Sequence, residues 1–62
     1  MVSINKLYVA CECGRNVLLI HKYMSLGYDV IIIGMQPDKL KEMMSYGVRM
    51  PFIVNNGEVI KL

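Results

Sequence analysis

A chain of 62 residues provides for one domain and no second, and at this size it buries only about 60% of the surface that it exposes unfolded, so its core is small. Apolar residues make up 55% of the composition, which excludes an intrinsically disordered chain. Seven Lys and Arg against five Asp and Glu leave a net charge of +2 with no basic cluster, which excludes the electrostatic footprint of a nucleic-acid binder.

The start, Met1-Val2-Ser3-Ile4-Asn5-Lys6, lacks the basic residues and long apolar stretch of a secretory signal. The longest strongly apolar run, Val30-Ile31-Ile32-Ile33, is far too short for a membrane span. The expected setting is cytoplasmic, without membrane contact. There, two cysteines point to redox chemistry or thiolate ligation before a structural disulfide.

In chain order, 3–9 reads as a first strand, with Ile4, Leu7, Tyr8 and Val9 as β-compatible groups. Residues 10–14 form a loop that carries Cys11 and Cys13. Residues 15–26 read as a helix: Val17, Ile20 and Met24 recur at spacings of three and four, and Leu19, Tyr23 and Leu26 repeat the pattern beside them. His21 and Lys22 suit the negative end of its dipole, and Gly27 ends it. Residues 28–34 read as a second strand whose unbroken apolar run predicts burial on both faces.

Pro37 opens a second helix with Asp38 in its first turn, Leu40, Met43 and Met44 form its buried stripe, and Gly47 closes it. Residues 48–54 read as a third strand with Pro51 inside, which calls for an edge or a bend because proline has no N–H to give the ladder. Asn56-Gly57 marks a tight turn into a fourth strand over 58–62. The order β-α-β-α-β-β predicts one α/β domain over 1–62. Its first two strands are parallel, joined by a right-handed helical crossover, and its last two form a hairpin. The result is a mixed four-stranded sheet with helices on both faces.

Three features sharpen this order: a cysteine at the junction of the first strand and first helix, the segment Arg49-Met50-Pro51-Phe52-Ile53-Val54, and the hairpin sequence Asn55-Asn56-Gly57-Glu58-Val59-Ile60. Together they resemble the glutaredoxins, in which a strand ending in Tyr leads to a Cys-x-x-Cys segment and a helix. A proline with a cis peptide bond, a further strand and a tight turn follow. The resemblance covers nearly the whole chain and implies a minimal thioredoxin-like fold. Family spacing counted from Tyr8, or back from Gly27, places Cys13 at the nucleophile position, so Cys13-Gly14-Arg15-Asn16 stands where the family has Cys-x-x-Cys. Asn16 occupies the resolving position, and Cys11 is an extra thiol two residues upstream.

The resemblance implies thiol–disulfide exchange on a protein or small-molecule disulfide. Cys13 would attack from a helix N-terminus, where the dipole favours a thiolate. Arg15 would assist by proximity, and Glu12 would oppose it. Pro51 would be the cis-proline, Met50 would present its backbone to the substrate, and Tyr8 would either flank the site or pack in the core. For Cys11 three readings stay open: a substitute resolving thiol, a metal or iron–sulfur ligand, and a small apolar residue at a strand end. His21 lies about 12 Å along the helix from Cys13 and reads as solvent-facing rather than as a metal partner.

Family members continue past the fourth strand with a Gly-rich turn, an acidic residue and a third helix that help hold glutathione. These have no counterpart in the 62 residues. The expectation is therefore no resident cofactor, weakened glutathione binding, and an uncovered apolar face beside the first helix suited to a homodimer or protein partner. Two other functions stand beside the oxidoreductase: a redox-inactive binding or regulatory module on the same fold, and a thiolate metal or iron–sulfur site.

Overall fold

The computed structural model describes residues 5–62. Ser3 and Ile4, assigned above to the first strand, lie outside the described residues. The elements are β1 (Lys6–Val9), α1 (Arg15–Ser25), β2 (Asp29–Ile32), a 3-10 turn (Pro37–Lys39) leading into α2 (Leu40–Met44), β3 (Phe52–Asn55) and β4 (Glu58–Lys61). They form a small α/β unit: two helices on a mixed, open four-stranded sheet of order β2-β1-β3-β4. β1 pairs with β2 in parallel, from Lys6 opposite Asp29 to Val9 opposite Ile32. β3 is antiparallel to both β1 and β4.

Strand alternation sorts the core into two halves. Leu7 and Val9 of β1, with Ile53 of β3, face α1 and meet Ile20 and Tyr23. Tyr8, Ile31, Phe52 and Val54 face the other way and meet Met43 of α2. One helix therefore covers each face. Leu7, Tyr8 and Val9 of β1 and Phe52, Ile53 and Val54 of β3 are all buried, so these two inner strands are enclosed on both sides. That place was expected for the second strand, but β2 is an edge strand in which only Ile31 is buried.

The amphipathic stripes are narrower than their spacing predicts. In α1 only Ile20 and Tyr23 are buried, while Met24 and Leu26 lie exposed. An 11-residue helix runs about 16 Å and overhangs strands of four residues, about 13 Å long. Tyr23 and Tyr28, in edge-to-face contact at 4.8 Å, fill the last supported position. In α2 only Met43 of the expected three is buried, because the first turn winds as 3-10 helix and leaves a single turn of α-helix to face the sheet.

The third strand starts later than predicted, at Phe52 rather than Val48, since Pro51 has no N–H to contribute and pairing begins just after it. The two-residue hairpin loop is Asn56-Gly57, with φ of 53° and 85°. Both values are positive, as a type I′ turn requires and as Asn and Gly tolerate best. Asn56 N–H donates to Asn5 Oδ1 at 3.1 Å, tying this turn to the start of β1. On the α2 face, Lys6 Nζ meets Glu42 Oε1 at 2.8 Å, and Lys39 Nζ lies 3.6 Å from Oε2. The pairing raises the Lys6 pKa and lowers that of Glu42.

Candidate active site

β1 delivers the chain to Ala10, at the end of the sheet where α1 begins. Ile33 N–H donates to the Val9 carbonyl and Gly34 N–H to the Ala10 carbonyl, both at 2.9 Å, so the strand pairing continues to the edge of the cysteine loop. A Cβ at Gly34 would lie 3.0 Å from the Ala10 carbonyl oxygen, which explains glycine there. After the loop, Gly14 takes φ 56°, ψ −130° and turns the chain into α1. A residue with a side chain resists that conformation.

Cys11 and Cys13 are joined to one another by a disulfide, with Cα atoms 5.6 Å apart. Cys13 is exposed two residues ahead of α1, and Cys11 is half-buried. The first turn of the helix closes on this loop: Asn16 N–H donates to the Cys13 carbonyl at 3.0 Å. The Asn16 side chain reaches further back. Its Nδ2 donates to the Cys11 carbonyl at 3.0 Å and lies 3.9 Å from Cys11 Sγ. Glu12 and Arg15 are both exposed, one on each side of Cys13 in the chain.

Two grooves flank the loop. One, of about 560 Å3, runs along α1 and is lined by Arg15, Asn16, Leu18, Leu19, Pro51 and Leu62. The Leu62 N–H donates to the Pro51 carbonyl at 3.1 Å and carries the end of the hairpin alongside the proline. The other, of about 490 Å3, lies on the α2 side between Ala10 and the segment from Gly47 to Met50, with Met43 and Met44 in its wall. The Met50–Pro51 peptide bond is cis.

The structure thus gathers Arg15, Asn16 and Pro51 on one groove, puts Met50 on the other, and sets Cys11 and Cys13 at the start of α1. Tyr8 does not join them. It is fully buried against Phe52 and Tyr46, with ring centroids 5.0 and 5.6 Å away, and so takes the core role rather than the flanking one. Burial pushes its phenol pKa up. His21 is exposed, as expected. No group of three or more His, Cys, Asp and Glu side chains among the described residues is arranged to hold a metal ion.

Two features escaped the sequence reading. In the sequence Asn16 stands out only as a missing cysteine, although an Asn in the first turn of a helix commonly bonds back to the loop before it. Leu18, at 73% exposure, fell outside both predicted stripes, and that mismatch was the signal for an outward-facing apolar residue. No family model matches the chain, and no curated protein or solved structure matches it. Among the described residues no helix is long and apolar enough to cross a membrane.

Proposed function

We propose that this chain is a minimal thioredoxin-fold domain of glutaredoxin-like type, working as a cytoplasmic thiol–disulfide oxidoreductase on protein or small-molecule disulfides. Cys13 is the nucleophile and Cys11 the resolving thiol. The observation that carries this reading is placement: Cys13 stands exposed two residues ahead of α1, whose first residues Arg15 and Asn16 line the groove that also holds Pro51. Support also comes from the strand order, with β1 and β2 parallel, β3 antiparallel and one helix on each face. In the reduced protein the Cys13 thiolate attacks a substrate sulfur and releases one thiolate. Cys11 then attacks Cys13 Sγ, closes the Cys11–Cys13 bond and releases the second. An external thiol returns the oxidised protein to the dithiol.

The test is turnover of 2-hydroxyethyl disulfide with an external thiol as reductant. Cys13→Ser is expected to abolish it, and Cys11→Ser to slow it and trap the mixed disulfide. Full activity in Cys13→Ser would refute the mechanism.

A second reading has its own observation. Leu18, Ile60 and Leu62 are exposed, and Leu18 and Leu62 line the groove beside Pro51. On this reading the fold docks on a protein partner or on a second copy through that face, without thiol chemistry. A double Cys→Ser variant that self-associates like the wild type in sedimentation over a dilution series would favour it.

A further inference from the structure

We infer that Asn16 is a positioning residue for Cys11: its side-chain amide holds the second thiol where it can resolve a mixed disulfide on Cys13. The inference rests on the exchange mechanism proposed above and adds a residue to it. A side-chain amide has two N–H donors, so a bond to the Cys11 carbonyl and an approach to Cys11 Sγ can be made together. The first fixes the backbone of Cys11 against α1 across five residues of chain. The second places a donor beside the sulfur. A donated N–H favours the anionic form of a titrating group, which is the attacking form of a thiol.

The loop needs such a device. Only Glu12 separates the two cysteines, and its carboxylate disfavours a second negative charge next to it. Arg15 is exposed, so its charge is screened by water. Asn16 is half-buried, with its amide on Cys11. The position that read as a vacant resolving cysteine is therefore occupied by the residue that secures the displaced one.

The step balances. Cys11 gives its proton to solvent, and its sulfur attacks Cys13 Sγ of the R–S–S–Cys13 adduct. One S–S bond forms as one breaks, and R–S⁻ leaves and takes a proton from solvent. Over both steps the protein dithiol loses two electrons and the substrate disulfide gains them.

The experiment mixes reduced protein with 2-hydroxyethyl disulfide, quenches with acid, and follows by mass the Cys13 adduct and the closed Cys11–Cys13 form. The wild type and the Asn16→Ala and Asn16→Asp variants are compared over a range of pH. Adduct formation is expected to slow less than closure in both variants. Closure is expected to slow about five-fold in Asn16→Ala, the equivalent of one net hydrogen bond, with its pH midpoint moved upward. Closure is expected to be slower still in Asn16→Asp, whose carboxylate has the shape of the amide but repels a sulfur anion.

Equal closure rates and midpoints in all three proteins would overturn the inference and leave the exchange mechanism standing. Slowing without a midpoint change, together with an equal slowing of adduct formation, would also overturn it, as the mark of a general structural defect. Absence of any Cys13 adduct in the wild type would instead remove the exchange mechanism, and the inference with it.

Discussion

Replacing Tyr8 by Phe should stabilise the protein, an unusual sign for a change at a fully buried position. The Tyr8 hydroxyl is shielded from solvent and has no hydrogen-bond partner among the described residues. Tyr46 and Glu42 are near enough to push its titration upward, yet neither stands in bonding geometry. A buried polar group left unmatched costs about 1–3 kcal/mol. Tyr8→Phe removes that cost and keeps the ring, with its stacking on Phe52 at 5.0 Å and its tilted contact with Tyr46 at 5.6 Å. Lost dispersion around one oxygen offsets only a few tenths of a kcal/mol. A net gain of about 1 kcal/mol should raise Tm by about 4–8 °C in a domain of this size.

The variant should also change the alkaline limb. The folded protein resists ionising this phenol, whereas the unfolded chain ionises it at the ordinary value of 10.0. Stability is therefore intact below that pH and falls as pH rises past it. Tyr8→Phe should lack this part of the alkaline loss. Thermal melts followed by far-UV circular dichroism between pH 7 and 11 test both statements. A lower Tm at pH 7 in the variant, or an identical alkaline slope, would contradict an unpartnered Tyr8 hydroxyl.

Phe52→Ala, at the centre of the aromatic group, should cost about 3–5 kcal/mol. That matches or exceeds the lower part of the total of about 3–9 kcal/mol expected for 62 residues, so urea melts should show a partly or wholly unfolded variant at 37 °C. Glu42→Gln should destabilise at neutral pH. Because the Glu42 pKa is lowered from 4.5 by Lys6 and Lys39, its contribution is present above that value and is lost as pH falls through the folded one. Melts of the variant and wild type should therefore converge in acid, and also at high salt, which screens the pair. Gly34→Ala should cost about 1–3 kcal/mol, since the new methyl group must displace the Ala10 carbonyl beside the cysteine loop. An unchanged urea midpoint would contradict that geometry.

Much of the element order was legible because it is written in local signals. Gly and Pro divide the chain, the Asn56-Gly57 pair fixes the hairpin, and the spacing of Ile20 and Tyr23 selects the buried side of α1. What escaped depends on distant chain. The apolar run of β2 reads as a central strand, but centrality is decided by which strand inserts beside β1, and β3 does. Met24, Leu26, Leu40 and Met44 fit a helical stripe as well as their buried neighbours do, yet the short sheet and the 3-10 turn leave them without a surface to cover. The two cysteines were visible from the start. Their bond and the reach of Asn16 back to Cys11 depend on the tight turn at Gly14, which only the folded backbone displays.

The most direct test of the redox account is the pH dependence of alkylation at each cysteine of the reduced protein, resolved by peptide mass. Cys13 is exposed at the start of α1, so it should react faster than Cys11, with a midpoint below the unperturbed thiol value of about 8.5. A Cys13 midpoint at or above that value, or a Cys11 that reacts first, would contradict its assignment as the nucleophile.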